Sequence, residues 1–419
     1  MAKDNIIKDL SLAEQGELNI EWAKKQMGAL LKVQERFRKE KPLRNYKIGM
    51  ALHVTKETAV LVETLIAGGA DVAIASCNPL STQDDVAAAL AKRGIKVYAY
   101  KGETKEDYYK FIRKVVEFKP NITIDDGCDL VSEIHEKNPE LIKGIIGGSE
   151  ETTTGVIRLR AMEKDGALKY PVIAVNDNKT KHLVDNYYGT GQSTIDGILR
   201  AASILFAGKN VVVCGYGDCG KGVCERARGF DSNIIVTEVD YFRGLQAKFD
   251  GYRVMPLIEA AKEGDVFITV TGNKHVLREE HFLKMNDGAI LVNSGHFDVE
   301  IDLVGLKKIS KKVRRIRPFL EEYELKNGNK LYVGGEGRLI NLAAAEGHPS
   351  TVMSLSFCGQ SLAAEYLVKN RGKLKNAVHK LPEYIDNDIA RLQLEAFGVK
   401  IDSLTKEQEK YLGSWKEGT

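Results

Sequence analysis

Short apolar runs and longer amphipathic segments alternate along the first part of the chain. The runs are rich in β-branched residues, and between the first two of them residues 57–67 (ETAVLVETLIA) are apolar at helical spacing and stop at Gly68-Gly69. This alternation is typical of a parallel sheet covered by helices. Thr82 and Asp85 also predict a capping box that opens the next helix. The predicted strands of this series are residues 47–53, 71–75, 96–100, 121–125 and 171–175.

The alternation starts again after about residue 190, with predicted helices at 193–207 and 221–229. Two independent series predict two sheets, and therefore two domains with a cleft between them. Residues 381–419 are polar, helical in pattern and too short to fold alone, so they must pack on the body or on another subunit. We therefore predict an α/β fold: two doubly wound (Rossmann-like) parallel-sheet domains, plus a short helical C-terminal tail. The strands predicted for the second domain are residues 210–214, 233–237, 265–270, 289–293 and 331–333.

Composition narrows the classes of protein that remain. The chain has 419 residues, 43% hydrophobic and 28% charged, which excludes bulk disorder and favours two to three domains. Its 61 basic and 58 acidic residues leave a net charge of +3, so nothing indicates a nucleic-acid partner. No apolar run reaches the roughly 18 residues that span a membrane, and the chain opens with the charged sequence MAKD, so we expect a cytoplasmic protein with no membrane partner. The six cysteines form no CxxC pair, and neither a disulfide framework nor a metal site is expected.

The sharpest local signal is a glycine-rich turn directly after the predicted strand 210–214. Gly215, Gly217 and Gly220 have the GxGxxG spacing that lets backbone approach a pyrophosphate at a helix N-terminus. Glu238 follows 18 residues after Gly220, at the end of the next strand, where a carboxylate accepts hydrogen bonds from the adenosine ribose and repels a 2′-phosphate. The pattern therefore predicts an NAD site rather than an NADP site, and a purely structural glycine turn is the alternative.

Acidic, hydroxyl and lysine side chains follow strand ends in the first domain. His53 and Asp126 lie at or just past predicted strands, and residues 149–155 (SEETTTG) combine acids with hydroxyls. Lys181 and Asp185 are four residues apart, close enough to meet on one helix face, although an ordinary surface ion pair has the same spacing. An NAD site in one domain, with acids, a histidine and a lysine at strand ends in the other, favours a catalytic cleft.

Nine segments of the chain follow the sequence pattern of one family: LHVTKETAVL (52–61), CNPLSTQDD (77–85), YKGET (100–104), IDDGCDL (124–130), SEETTTGV (149–156), KHLVDN with YGTGQSTIDGI (181–198), GYGDCGKG (215–222), NSGHFDVEID (293–302) and EGRLINLAAAEGHPS (336–350). Taken together and in this order, they resemble S-adenosylhomocysteine hydrolase over nearly the whole chain.

The resemblance implies an activity and an organisation. It implies reversible hydrolysis of S-adenosyl-L-homocysteine, a small nucleoside thioether, to adenosine and L-homocysteine, with NAD-dependent 3′-oxidation, elimination, water addition and re-reduction. It implies a discontinuous substrate-binding domain (1–186 and 347–380), an NAD-binding domain (187–346) and a C-terminal tail (381–419) for oligomerisation, with hinges near 180–192 and 346–352. A homotetramer is typical of the family.

The resemblance also implies roles for individual residues. Lys181 would take the proton of the ribose 3′-hydroxyl, which near neutral pH requires a depressed lysine pKa. Asp126 would abstract the 4′ proton or be positioned for it, and His53 would transfer protons during thiol departure and water attack at C5′. The implied catalytic residues are His53, Asp126, Glu151, Lys181 and Asp185, and the implied substrate contacts are Thr55, Glu57, His296 and His348. For His348, a buried histidine satisfied by backbone is the alternative. The implied cofactor contacts are Thr152, Thr153, Thr154, Asn186, Gly215, Gly217, Asp218, Gly220, Glu238 and Asn341.

Three departures from the family pattern leave alternatives open. Glu346 stands where some relatives carry methionine beside the purine, so the same chemistry on S-inosyl-L-homocysteine is an alternative, whereas Thr55 and Glu57 favour adenine. Thr190 stands where some relatives carry cysteine, so a thiol there is not essential. The basic, tyrosine-bearing tail of the longer members is absent, which weakens the expectation of NAD contacts between subunits. An NAD-dependent dehydrogenase on the same scaffold, or a non-catalytic NAD sensor, are the alternative classes.

Overall fold

The fold is given by a computed structural model that describes residues 4–416; residues 1–3 and 417–419, including the last three positions of the predicted tail, lie outside the described residues. Its strands are β1 Lys47–Ala51, β2 Asp71–Ala75, β3 Lys96–Tyr98, β4 Ile122–Asp125, β5 Gly147–Glu150, β6 Val172–Ala174, β7 Asn210–Cys214, β8 Asn233–Thr237, β9 Arg253–Val254, β10 Val266–Thr269, β11 Ile290–Asn293, β12 Ser310–Arg317, β13 Leu320–Leu325, β14 Lys330–Gly334 and β15 Val378–His379.

The α-helices are α1 Ala13–Lys24, α2 Gly28–Glu40, α3 Lys56–Ala67, α4 Asp84–Lys92, α5 Lys105–Glu117, α6 Asp129–Lys137, α7 Thr153–Lys164, α8 Thr190–Ala202, α9 Asp218–Arg228, α10 Tyr241–Phe249, α11 Leu257–Ala260, α12 Glu279–Phe282, α13 Leu303–Ile309, α14 Ile340–Ala343, α15 Ser350–Lys369, α16 Glu383–Ala396 and α17 Lys406–Leu412. A π-helix spans Lys181–Gly189 and leads directly into α8.

In the described part of the chain, the first sheet has seven strands in the order β15-β6-β5-β4-β1-β2-β3, all parallel. Its central strands are apolar and buried; Ile48 of β1 pairs with Val72 on one side and Ile122 on the other. The chain order reverses between β1 and β4. Open α/β sheets bind ligands in the crevice at such a reversal, beyond the carboxyl ends of the strands.

The second sheet has eight strands within residues 4–416, in the order β12-β13-β14-β11-β10-β7-β8-β9. The strands from β14 to β9 are parallel, and their order reverses between β7 and β10. The strands β12, β13 and β14 form an antiparallel meander at one edge. The prediction of two α/β parallel sheets is therefore confirmed, with an antiparallel addition that the sequence pattern missed.

Several predicted elements differ in detail from the observed ones. The predicted strands 210–214 and 233–237 match β7 and β8 residue for residue. The predicted helix 193–207 is α8, which begins at Thr190 and ends at Ala202, and 221–229 is α9, which begins at Asp218. The capping box predicted at 82–85 is wrong: the helix begins at Asp84, and its N-cap Gln83 makes no side-chain capping bond. By contrast, Thr55 does cap α3, because its hydroxyl accepts a hydrogen bond from the Thr58 amide.

The tail packs partly on the body, as the sequence predicts for this segment. Helix α16 buries Ile389, and Ala396 packs so closely on α2 that a Cβ at Gly28 would lie 2.7 Å from it. Helix α17 buries none of its residues. Within residues 4–416 no helix is long and apolar enough to cross a membrane.

Candidate active site

A cavity of about 1100 Å³ lies between the two sheets, at the carboxyl ends of strands from both. Strands β1, β4 and β5 lead into it from the first sheet, and β7, β8 and β11 from the second. All of the site residues predicted from the sequence line this cavity, except Gly220. Gly220 instead lies beneath the glycine-rich turn, where a Cβ would be 2.0 Å from the Gly215 carbonyl oxygen, so its function is close helix–strand packing.

Lys181 is the centre of a buried charge cluster at the start of the π-helix. Its Nζ atom donates to Asp185 Oδ1 and Asn186 Oδ1, both at 2.9 Å, and lies 3.4 Å from Glu151 Oε1. Burial alone would lower the pKa of the Lys181 ammonium, but Asp185 and Glu151 outweigh it, and the pKa lies above its ordinary value. The depressed lysine pKa expected from the sequence is therefore wrong for this structure, because two carboxylates stabilise the charged form.

Glu151 is held against Lys181 by a helix from the far end of the chain. Its oxygens accept hydrogen bonds from Ser356 Oγ and, at 2.5 Å, from Gln360 Nε2, both on α15. Burial raises the pKa of Glu151, against the opposing Lys181 ammonium. Glu151 is therefore a carboxyl that can take a proton more readily than an exposed one.

His348 is held by side chains rather than by backbone. Its Nδ1 lies 3.1 Å from Asp185 Oδ1 and its Nε2 lies 3.3 Å from Thr190 Oγ1. Burial would raise the pKa of Asp185, but Lys181 and His348 hold it well below its usual range. The ring also packs on the π-helix, since a Cβ at Gly189 would be 2.7 Å from His348 Nδ1. Asp185 is thus an ionised carboxylate that links the π-helix to the segment between α14 and α15.

A second cluster surrounds Asp126, just past β4. Its Oδ2 lies 3.4 Å from His53 Nε2 and 3.7 Å from the Cys77 sulfur, and its Oδ1 lies 3.5 Å from His296 Nδ1. Burial lowers the pKa of His53 to about 4, and the neighbouring Asp126 only partly offsets this. His53 is therefore neutral at pH 7, with Nδ1 bonded to Ser81 Oγ at 2.8 Å.

His296 extends from the second sheet to Asp126 and passes directly over the backbone of Gly127. Gly127 has a φ of +105°, and a Cβ there would lie 2.3 Å from His296 Nε2. The ligand atoms of His53, Cys77 and Asp126 lie within 4.8 Å of one another, a geometry that could also hold a metal ion. The sequence predicted no metal, and Cys77 was not among the predicted residues.

Thr55 and Glu57 line another wall of the cavity, at the start of α3. Glu57 is fully buried, and its Oε1 accepts a hydrogen bond of 2.6 Å from Ser350 Oγ. Lys56 Nζ lies 3.3 Å from the same oxygen and 2.9 Å from Oε2 of Glu346. Glu57 and Glu346 line this wall, whereas Lys56, which pairs with both carboxylates, does not itself line the cavity.

The glycine-rich turn after β7 forms the wall on the second sheet. Gly215 has a φ of +105°, and Gly217 is the N-cap of α9, whose first residue is Asp218. A Cβ at Gly217 would meet only the Arg243 guanidinium at 3.6 Å, so open space lies at the helix N-terminus. Glu238, after β8, accepts hydrogen bonds of 2.9 Å from the backbone amides of Tyr216 and Asp240. These features fit the pyrophosphate and ribose of NAD.

Residues from the first sheet and from α14 face the same space. Thr153 Oγ1 and Asn186 Nδ2 both donate to Asn176 Oδ1 at 3.2 Å, while Thr152 caps α7. Asn341 Nδ2 donates to Ser193 Oγ at 3.1 Å, and its buried Oδ1 lacks a partner among the described residues. Thr154 lies 3.6 Å from the Cβ position of Gly272, on the opposite side. Unused acceptors and hydroxyls of this kind suit a polar cofactor.

Three residues of α15 escaped the sequence analysis: Ser350, Ser356 and Gln360. They hold Glu57 and Glu151, two carboxylates that line the cavity. A signal for two of them was present, because Ser356 and Gln360 are four residues apart within an apolar helical stretch and so share one helix face. Buried polar residues at that spacing indicate hydrogen bonds to a buried partner.

The fold and the site define an NAD-binding enzyme built from two α/β sheets with a cleft between them. Residues 186–347 match the sequence profile of the S-adenosyl-L-homocysteine hydrolase NAD-binding domain, and residues 4–143 match that of S-adenosyl-L-homocysteine hydrolase. The chain belongs to the S-adenosyl-L-homocysteine hydrolase family, and it is an NAD-dependent hydrolase of a nucleoside thioether.

Curated relatives match over almost their full length. An adenosylhomocysteinase of Saccharolobus solfataricus is 58% identical over 414 residues, 99% of each chain, and so is one of Aquifex aeolicus. An S-inosyl-L-homocysteine hydrolase of Methanocaldococcus jannaschii is 56% identical over 413 residues, again 99% of each chain. Relatives named for the adenosyl substrate and a relative named for the S-inosyl substrate are thus almost equally similar to this chain.

Proposed function

We propose that this protein hydrolyses S-adenosyl-L-homocysteine reversibly to adenosine and L-homocysteine. The observation that carries the proposal is that the Lys181–Asp185–Glu151 cluster, the His53–Asp126 cluster and the glycine-rich NAD wall all face one cavity. The chemistry needs a redox cofactor because a thioether leaves badly by direct displacement, whereas a ketone at C3′ acidifies the adjacent 4′ C–H. Bound NAD supplies the hydride acceptor and donor for C3′.

The first proton step belongs to Lys181 and Glu151. Lys181 is an ammonium in this structure, so it takes the 3′-hydroxyl proton only as it passes one of its own protons on. Glu151 lies 3.4 Å away and has a raised pKa, which makes it the acceptor for that proton. Asp185 stays ionised and orients the ammonium, with Asn186 as its second partner.

The later proton steps belong to Asp126 and His53. Asp126 takes the 4′ proton and passes it to His53, whose Nε2 lies 3.4 Å away, and His53 gives it to the departing thiolate. In the second half of the reaction His53 takes a proton from the water that attacks C5′, and this proton returns to C4′ through Asp126. A neutral imidazole is the form that accepts a proton from water, and burial keeps His53 in this form with a pKa of about 4. His296, 3.5 Å from Asp126, orients the carboxylate from the opposite sheet.

For the remaining contacts we propose the roles implied by the family resemblance. Thr55 and Glu57 contact the purine, and His296 and His348 close over the substrate. The cofactor is contacted by Thr152, Thr153, Thr154, Asn186, Gly215, Gly217, Asp218, Glu238 and Asn341, and Gly220 supports the turn. The relative named for S-inosyl-L-homocysteine keeps the inosine form as the second candidate substrate.

We further propose the domain limits predicted above: a substrate-binding domain of residues 1–186 and 347–380, an NAD-binding domain of residues 187–346 and a tail of residues 381–419. We also propose that the protein acts in the cytoplasm and assembles with copies of the same chain, as a homotetramer by family resemblance. Exposed apolar side chains on α10 support self-association: Tyr241 is 94% exposed, Phe242 84% and Phe249 80%. Sedimentation velocity of the purified protein tests the assembly, and a Phe242→Ser variant with a lower mass identifies α10 as part of the contact.

A single assay separates the hydrolase from a conventional dehydrogenase. Purified protein is incubated with S-adenosyl-L-homocysteine while free thiol and free NADH are measured together. We expect thiol to accumulate over many turnovers with no stoichiometric NADH in solution. NADH appearing in proportion to substrate consumed, without thiol, would show a dehydrogenase instead.

A further inference from the structure

Two of the acidic groups assigned to proton transfer directly follow other buried carboxyls. Asp125 precedes Asp126 at the end of β4, and Glu150 precedes Glu151 at the end of β5. The two strands are adjacent and parallel, and Asp125 and Glu150 are partners in register, so their side chains lie on the same face of the sheet. Both are fully buried and neither lines the cavity. They can therefore act on a bound substrate only through their neighbours.

Glu150 links the two loops that leave these strands. Its Oε1 atom accepts hydrogen bonds from the backbone amides of Gly127 at 2.9 Å and Thr152 at 3.0 Å. The same oxygen accepts a third bond, at 3.0 Å, from the Thr152 hydroxyl. Gly127 is the residue after Asp126, and Thr152 is the residue after Glu151. One carboxyl oxygen thus binds the backbone next to each of the two proton-transfer groups.

The two buried carboxyls differ in how their oxygens are used. Asp125 accepts the Asp126 amide at Oδ1 (3.0 Å) and the Val131 amide at Oδ2 (2.9 Å), which favours its carboxylate form. Glu150 Oε2 is buried and has no partner within residues 4–416. Burial and the charges of Asp125 and Asp126 raise the pKa of Glu150 well above its ordinary value. Burial also raises the pKa of Asp125, to about 7, but Asp125 has a donor at each oxygen, so the proton of the pair lies on Glu150.

A neutral carboxyl suits this position because it accepts amide hydrogen bonds without adding a charge beside Asp126. We propose that Glu150 is a positioning residue, whose Oε1 atom holds the Asp126 loop and the segment of Glu151 and Thr152 at a fixed separation. The inference rests on the proposed function for the roles of Asp126 and Glu151. Proton transfer needs groups within hydrogen-bond distance, and a misplacement of about 1 Å lowers a rate by about 100-fold. Loss of the link should therefore lower kcat and leave substrate binding nearly unchanged.

The test separates the acceptor oxygen of Glu150 from its charge in the NAD-loaded full-length enzyme. Glu150→Gln keeps a neutral acceptor oxygen, and we expect its kcat for thiol release to lie within about threefold of the wild type. Glu150→Leu leaves two buried amides unpaired, and we expect its kcat to fall about 100-fold while KM changes less than about threefold. Bound NAD is measured on every preparation. Glu133→Leu, which removes a buried carboxyl of α6 outside the cavity lining, is the control and should leave kcat unchanged.

A second variant displaces the Glu150 side chain without changing it. A Cβ at Gly155 would lie 2.1 Å from the Glu150 carboxyl carbon, so Gly155→Ala should push the carboxyl away from its amide partners. We expect kcat to fall roughly tenfold. Gly244→Ala is the matched control, because Gly244 is also helical and a Cβ there would have nothing within 4 Å. If Glu150→Leu does not fold, Gly155→Ala decides, and a kcat equal to that of Gly244→Ala would overturn the inference.

Amide hydrogen exchange measures the link without turnover. The Gly127 and Thr152 amides should exchange faster in Glu150→Leu than in the wild type, and at the wild-type rate in Glu150→Gln. A wild-type kcat in Glu150→Leu, or a loss in Glu150→Gln as large as that in Glu150→Leu, would overturn the inference. A wild type that releases no thiol would overturn the proposed function instead, and the exchange rates of the two amides would still decide whether Glu150 holds the two loops together.

Discussion

Lys181 and Asp185 form a buried ion pair across one stretch of π-helix, with 2.9 Å between Nζ and Oδ1. Asp185 in turn lies 3.1 Å from His348, and Lys181 lies 3.4 Å from Glu151. This pair of side chains thus connects three segments: the π-helix that leads from the first sheet into the second, the residue that follows β5, and the segment between α14 and α15. A change at either residue acts on the reacting groups and on the cleft together.

Removal of the Lys181 ammonium should lower turnover by several orders of magnitude. We expect Lys181→Met to lower kcat/KM for thiol release by about 10²–10⁴-fold, the usual contribution of a positioned acid or base, while NAD content stays near that of the wild type. Thiol release and bound NAD are measured on the same preparation, with Lys209→Met, which removes a lysine from a surface ion pair with Asp265, as the control. Turnover at the wild-type rate would remove Lys181 from the mechanism.

Loss of the Glu238 carboxylate should release the cofactor. Glu238 lines the cavity after β8 and accepts backbone hydrogen bonds from the turn at Tyr216. Glu238→Ala therefore removes both an acceptor for the ribose and a support of the turn, and we expect most of the copurifying NAD to be lost. NAD is quantified after acid denaturation, with Glu259→Ala, a surface ion-pair variant, as the control. Full NAD occupancy in Glu238→Ala would contradict the cofactor assignment.

The buried His53 should make stability fall on acidification. Its pKa is about 4 in the folded protein against an ordinary 6.5, so between these values the unfolded chain binds the extra proton. The free energy of unfolding is therefore highest above pH 6.5 and falls as the pH drops towards 4, by about 3 kcal/mol for this one group. Urea denaturation at about pH 7 and pH 5 measures the effect. His53→Gln should show a smaller loss than the wild type, and equal losses would refute the assignment.

The close contact between the Gly127 backbone and the His296 ring should be needed for activity. Gly127→Ala introduces strain at a φ of +105° and a clash with His296 Nε2 at 2.3 Å. We expect a fall in kcat/KM of roughly 100-fold, because displacement of His296 disturbs Asp126 beside it. Gly166 is a matched control, since it has a φ of +66° with nothing within 4 Å of a Cβ. If Gly166→Ala lost as much activity, strain rather than the contact with His296 would be the cause.

The sequence predicted the two sheets well where apolar strands alternate with helices. Strands β7 and β8 are β-branched and buried, so the pattern located them residue for residue. Strand β5 is absent from the predicted strands because its sequence GGSE has no β-branched residue, although all four residues are buried in the middle of the sheet. Strand β12 was missed because five of its eight residues are Lys or Arg and no apolar face marks it.

The predicted site residues, apart from Gly220, line one cavity, but the sequence did not predict the electrostatics of that cavity. Lys181, Asp185 and Glu151 could be identified from spacing and resemblance, yet the raised pKa of Lys181 depends on how many carboxylates surround it in three dimensions. The bridge from Lys56 to Glu346 joins residues 290 positions apart, which no local pattern reports. The hydrogen bonds from α15 to Glu57 and Glu151 are invisible for the same reason.

The charged strand β12 also limits how copies of this protein can meet. It lies at the edge of the eight-stranded sheet, and seven of its eight residues are exposed. A strand added from another molecule would bring its own backbone against Lys312, Arg314 and their neighbours and would bury their charge. The opposite edge, β9, is only two residues long. Neither edge therefore favours repeated pairing with strands of other molecules, and the protein should resist fibrillar aggregation through this sheet even at high concentration.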